Sequence, residues 1–203
     1  RLLEARPSLL SLKGALLCNF GEGYTALTIL DQAITDIQKI EDLPGLALAH
    51  VRRSAAYRLT GDYASALRDS DEALRLSENR PELQPIYAEA ERFKGLSLYH
   101  LGMITDSIHF LENAMRRYTQ FGEKQSVART QTELGMSYRA SGNYQAARDV
   151  YAQALTEWRR EDNIYSQAIV LNNMGVLYHN QGNYELALRT LEAGLDCVRL
   201  SHS

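Results

Sequence analysis

Residues 168–195 read AIVLNNMGVLYHNQGNYELALRTLEAGL. Gly182 interrupts a run with helical character, and Asn183 and Tyr184 follow it at once. A helix commonly ends with a residue in the left-handed backbone region, which glycine adopts without a Cβ penalty. Asn is a good first cap for the helix that follows. The stretch therefore reads as helix A, a tight turn and helix B. Small residues stand at Gly175, seven before the turn glycine, at Ala187, five after it, and at Gly194, twelve after it. The first two let the helices approach closely, and the third leaves room for a neighbour. Tyr178 fills the space between the helices and Tyr184 covers the turn.

The same slots recur outward along the chain. Turn signals stand at Gly21-Glu22-Gly23, Gly61-Asp62-Tyr63, Gly102-Met103-Ile104 and Gly142-Asn143-Tyr144. The small slot on helix A holds Gly14, Ser54, Gly95 and Gly135, and the two slots on helix B hold Ala26, Ala66, Ser107, Ala147 and then Ala33, Ala73, Ala114, Ala154. Ten of the 13 glycines fall in these slots, which makes the repeat the organising fact of the chain. A single helix pair buries only part of its apolar surface, so such units must stack.

This pattern resembles the tetratricopeptide repeat (TPR), a helix-turn-helix unit of about 34 residues. Residues 168–195 carry the resemblance most fully and residues 128–155 nearly as well. It weakens where Gly23 and Ile104 replace the turn tyrosine. The resemblance implies an all-α fold, a right-handed TPR solenoid of about five helix-turn-helix repeats with about ten antiparallel helices. The chain is expected to be one domain over 1–203, with repeats at approximately 7–40, 47–80, 88–121, 128–161 and 168–201. The period exceeds the common one, and the extra length is expected in the connections 40–45, 77–85, 121–125 and 159–165, with helices of about 16 residues. This long form resembles the repeats of kinesin light chains, Pins/LGN-type adaptors and the helical arrays of bacterial transcription regulators.

In that family the residues of helix A line the inner face of the stack. Carried over slot by slot, the resemblance implies a peptide-binding groove that includes Arg58, Glu89, Arg92, Leu96, Tyr99, His100, Arg129, Met136, Arg139, Asn172 and His179. Four arginines stand there against one acid, in a chain whose net charge is −3. The planar guanidinium can grip both oxygens of a carboxylate, so a partner peptide bearing acidic and apolar residues is expected. The family's carboxylate clamp needs an Asn in the slot just after the small residue. Ala15, Ala55, Leu96, Met136 and Val176 stand there instead, so chaperone-tail binding of that type is not expected.

The chemistry-bearing patterns are absent. There is no GxxxxGK[ST] phosphate loop, no GxGxxG after a strand and no HExxH. The histidines lack metal-ligand spacing. Cys18 and Cys197 stand far apart, which fits free thiols in a reducing, cytoplasmic setting better than a disulfide framework. No catalytic residue, metal or cofactor is expected. No apolar run is long enough to cross a membrane, and the negative net charge disfavours nucleic acid. Arg1 lies inside a helix-like run with no initiator methionine, so a longer parent is expected. Helical apolar spacing persists to Leu200 with no capping helix after it, so either the parent chain continues there or the open solenoid end pairs with another copy as a homodimer. The leading expectation is a non-catalytic protein–protein interaction scaffold that binds a peptide or helix of its partner. The alternative is a regulatory or effector-sensing segment of a larger bacterial signalling protein or transcription regulator.

Overall fold

The computed structural model describes residues 2–200. Among them are ten α-helices and no strand: α1 (Leu2–Asn19), α2 (Gly23–Lys39), α3 (Leu43–Leu59), α4 (Tyr63–Ser77), α5 (Gln84–His100), α6 (Ile104–Phe121), α7 (Lys124–Ala140), α8 (Tyr144–Arg160), α9 (Ile164–Asn180) and α10 (Tyr184–Leu200). A single 3-10 turn, Pro81–Leu83, precedes α5. The chain divides into two compact units, Arg1–Ala114 and Met115–Ser203. In the first, α1 packs on α2, α2 on α3, α3 on α4 and α4 on α5. In the second, α7 packs on α8, α8 on α9 and α9 on α10.

The turns follow from their residues. Gly21, Gly61, Gly102, Gly142 and Gly182 all take positive φ, from 75° to 81°. Asp62 accepts from the Ser65 amide at 3.0 Å, and Asn143 and Asn183 accept from Ala146 and Leu186, each at 3.2 Å. These bonds satisfy amides that would otherwise be orphaned in the first turn.

The connections between repeats are shorter than the sequence suggests. Most helices run 17 residues, and α3 and α9 begin at Leu43 and Ile164, inside stretches expected to be loop. The residues read as loop formers are helix starters. Asp42 caps Gly45 at 3.0 Å and Asn163 caps Ser166 at 2.9 Å. Pro44 and Pro85 stand in first turns, where a missing N–H costs nothing. The links use the same left-handed residue as the turns, here Glu41 (φ 54°), Asn79 (φ 55°), Gly122 (φ 72°) and Asp162 (φ 50°). Two 17-residue helices with two three-residue turns account for the forty-residue period.

Close packing depends on the small slots. A Cβ on Gly14 would lie 2.5 Å from Leu30 Cγ, one on Gly95 2.7 Å from Leu111 Cγ, and one on Gly175 2.6 Å from Leu191 Cγ. On Gly135 it would collide with the ring of Tyr151, which is fully buried. The second repeat solves the same problem differently. Ser54 and Ser70 face each other at 2.8 Å, both fully buried, and each donates to the Ala66 carbonyl, at 2.8 and 2.9 Å. Among the described residues no helix is long and apolar enough to cross a membrane.

Candidate functional site

The helix-A residues singled out from the sequence divide between the two units. In the first unit they stand on α3 and α5. Phe93 of α5 is the centre of this group. The Arg92 guanidinium lies 4.3 Å from its ring centroid and that of Arg58, from α3, lies 5.3 Å away. Arg92 is buried and forms an ion pair with half-exposed Glu89 at 3.7 Å. Leu96, also on α5, is buried. His100 stacks on the ring of Tyr63 with centroids 4.3 Å apart and meets Tyr99 edge-on at 5.2 Å. Burial, and then the nearby charge of Arg58, push the His100 imidazole below its ordinary pKa. Both effects favour the neutral ring, and the second marks a positive local potential.

Arg52 joins this group from α3. Its Nη1 donates to Ser11 Oγ of α1 at 2.8 Å, and the charge of Glu89 acts on it. Arg52 and Phe93 occupy one slot, two residues before the small residue of helix A. That slot lies outside the five carried over from the family, so the sequence reading missed both.

In the second unit the expected residues stand on α7 and α9. Arg129, Asn172 and His179 are exposed, and Met136 and Arg139 are half-buried. The Asn180 amide is oriented to donate to the Val176 carbonyl at 3.2 Å, which leaves its oxygen to accept from Arg139 Nη1 at 3.3 Å. His179 lies edge-on to Tyr184, with centroids 5.5 Å apart.

A separate polar cluster, invisible in the repeat pattern, ties α2, α3 and α4 together. Arg53 donates twice to Asp69, at 2.7 and 2.8 Å, and once to Asp31, at 2.6 Å. His50 Nδ1 is 2.8 Å from Asp69 Oδ1, and since an ionised carboxylate only accepts, the imidazole donates. Burial raises the Asp69 pKa, but the bonds and charges of Arg53 and His50 outweigh it and hold the carboxyl below its usual range. One repeat later, Lys94 meets Asp71 at 2.6 Å. Cations on helix A thus reach back to carboxylates on the preceding helix B. Cys18 is half-buried, and burial pushes its thiol pKa up, which disfavours the nucleophilic thiolate.

These paired helices, their turn geometry and their small slots coincide with known proteins. The tetratricopeptide repeat pattern matches residues 87–160 and, in overlap, 126–200. The protein kinesin light chain-related 2 of Arabidopsis thaliana is 24% identical over 173 residues, which covers 78% of this chain and 26% of that protein. The chain therefore spans about a quarter of that relative's length. The crystal structure of BtubC (BKLC) from P. vanneervenii superposes with a TM-score of 0.76 at 16% identity, covering 96% of this chain and 80% of that one. The Rap conjugation gene regulator of plasmid pLS20, solved in complex with the Phr* peptide, superposes with a TM-score of 0.78 at 16% identity, covering 94% and 52%. The fold is that of the TPR solenoids, the family pattern covers more than half of the sequence, and the chain belongs to the tetratricopeptide repeat family.

Proposed function

We propose that the chain is a non-catalytic protein-interaction scaffold whose helix-A faces bind a peptide or helix of a partner carrying acidic and apolar residues. The observation that carries this reading is the assembly around Phe93, where two arginines lie against one aromatic ring beside Tyr63, Tyr99 and His100. Arginine and tyrosine in half-buried surroundings are the residue types that dominate interface energetics. Burial first, and then the charge of Arg58, lower the His100 pKa, and the second of these places a cation close to this ring. Arg129 and Arg139 supply a second basic surface on α7. A related fold that was solved with a peptide supports a peptide as the ligand class.

Fluorescence anisotropy with a library of labelled peptides, acidic, neutral and basic but otherwise alike, tests this reading. Acidic–apolar peptides are expected to bind best and to weaken as salt rises. Arg129→Glu with Arg139→Glu, and separately Arg58→Gln, should each weaken binding about tenfold or more, corresponding to roughly 1.4 kcal/mol. Circular dichroism confirms that helix content is intact. Equal binding of basic peptides, or binding indifferent to all three substitutions, would sink the proposal. Self-association through an exposed end of the repeat array is the second part of this reading, because α1 and α10 both carry exposed large apolar side chains.

A further inference from the structure

The second unit holds a cleft of about 420 Å³ bounded by the end of α6, the first half of α7 and the second half of α8. Thr119 lines it from α6, Lys124, Val127 and Gln131 from α7, and Gln153 and Glu157 from α8. The α7–α8 pair is tied at two levels. Gln125 Nε2 donates to Glu161 Oε2 at 3.1 Å, and Gln131 Nε2 donates to Gln153 Oε1 at 2.7 Å. Lys124, Val127 and Gln131 follow one another at three and four residues, so they share one face of α7 and span about 10 Å along it.

The same slots are filled elsewhere in the array. Eight residues before the small residue stand Leu46, Tyr87 and Gln167, where α7 has Val127. Leu46 packs against the cluster of Ile34 and Ile37, and Gln167 donates to the Trp158 carbonyl at 3.1 Å. Four residues before the small residue, His50 bonds Asp69, and Leu171 belongs to the buried apolar cluster around Trp158. On α7 a short valine and an amide leave this space open.

The polar groups on the wall keep unused capacity. Gln131 is 9% exposed, yet its amide oxygen has no hydrogen-bond partner among the described residues. Glu157 pairs its Oε1 with Arg160, and its side chain is 20% exposed. Lys124 forms no ion pair among the described residues. Each of the three can take up a ligand without giving up a protein partner. Glu157 stands one turn from Gln153, and so from the bond that holds Gln131. Two acceptors at one level and a cation two turns away from Gln131 suit a ligand with an ammonium at one end and a carboxylate at the other. The main chain of two residues spans about 7 Å and the lysine side chain closes the rest, whereas one residue spans only about half as much.

We propose that this cleft binds a free dipeptide. Its α-ammonium donates to Gln131 Oε1 and Glu157 Oε2, and its α-carboxylate accepts from Lys124 Nζ. Gln153 Nε2, which the bond from Gln131 leaves unused, donates to the peptide carbonyl, and an apolar side chain rests on Val127 and the Thr119 methyl. The volume lies within the range of small-ligand sites, roughly 300–1,000 Å³. The site goes beyond the helix-A faces of the proposal above and does not depend on them.

Isothermal titration calorimetry of the chain with alanyl-leucine, its N-acetyl and C-amide forms and free leucine tests this site. The dipeptide is expected to bind, and each capped form and leucine to bind about tenfold or more weakly. Lys124→Gln should bring the dipeptide down to the level of its amide and leave the amide unchanged. Glu157→Gln should do the same for the acetyl form. These matched losses assign each charge to its end of the ligand. Gln131→Leu and Val127→Leu place in the cleft the residues that the chain already carries in the same slots, at Leu171 and Leu46. Each should abolish binding, with helix content unchanged by circular dichroism. Arg129→Glu with Arg139→Glu should leave dipeptide binding unchanged, which separates this site from the helix-A face. Absence of dipeptide binding at millimolar concentration, or binding that survives either leucine substitution in a folded chain, would overturn the proposal. Leucine binding as tightly as the dipeptide would overturn the two-residue span.

Discussion

Exchanging the packing solution of the second repeat for that of its neighbours tests the account of the small slots. Ser54→Gly removes a fully buried hydroxyl that donates to the Ala66 carbonyl at 2.8 Å and lies 2.8 Å from the Ser70 hydroxyl. Losing that bond costs about 1 kcal/mol. A glycine in the helix interior adds about 0.5 kcal/mol relative to serine. Ser70→Leu inserts a leucine against Ser54 where Gly14 shows that even a bare Cβ would lie 2.5 Å from the facing Leu30. Overpacking of this kind costs about 2 kcal/mol. If the two changes were independent, the double variant would lose about 3.5 kcal/mol, the sum of these costs. In fact it rebuilds the pair found at Gly14 and Leu30, so its loss should be about 1 kcal/mol, a coupling of about 2.5 kcal/mol. Urea unfolding followed by far-ultraviolet circular dichroism and by Trp158 fluorescence gives the four stabilities, provided the two probes coincide. Additivity within about 0.5 kcal/mol would refute the reasoning.

Gly135→Ala should destabilise by about 1–2 kcal/mol in the same assay, because collision with Tyr151 exceeds the helix-propensity gain of about 1 kcal/mol. Gly194→Ala should stabilise by up to about 1 kcal/mol, since the nearest atom to its new Cβ would be 3.4 Å away. Asp162→Gly should raise stability by about 0.5–1 kcal/mol, because it relieves a left-handed backbone at φ 50° that costs an L-residue about 1–2 kcal/mol. Asp69 has a folded-state pKa below its unfolded value, so its contribution is present above about pH 4 and is lost as pH falls through the folded value. Asp69→Asn should therefore cost about 2–3 kcal/mol at neutral pH and flatten the acid limb of the stability profile, as read from urea midpoints between pH 2 and pH 7.

The parts of this fold that were legible in the sequence are those whose cause is local. A left-handed turn residue, an Asx cap and a close helix crossing each demand a particular residue type at a fixed offset, and repetition makes that demand visible. The link residues misled for a related reason. Asp42, Pro44 and Asn163 look like loop formers, but the same chemistry starts a helix, and composition does not separate the two. Contacts between side chains on different helices were not legible. Nothing in the spacing of His50, Arg53 and Asp69 announces a cluster spanning α2 to α4. Arg92 illustrates the point within the candidate site. An arginine on helix A reads as a surface charge, yet here its stem is buried and its head is held over Phe93 and beside Glu89.

The two kinds of turn in this chain are built alike, and that gives its length a reading frame. A turn within a repeat and every link between repeats but 78–83, which holds the 3-10 turn, are short, with a left-handed residue just ahead of the next helix. Locally the backbone cannot tell which of the two it is making. Only the alternation of side chains distinguishes a helix of type A from one of type B. Inserting or deleting about forty residues leaves every downstream helix in its role. A change of about twenty would be tolerated by every turn but would exchange the roles of all helices beyond it, setting glycine slots where the bulky residues belong. Length variants of this array should therefore accumulate in whole periods, as in-frame changes do in a coding sequence.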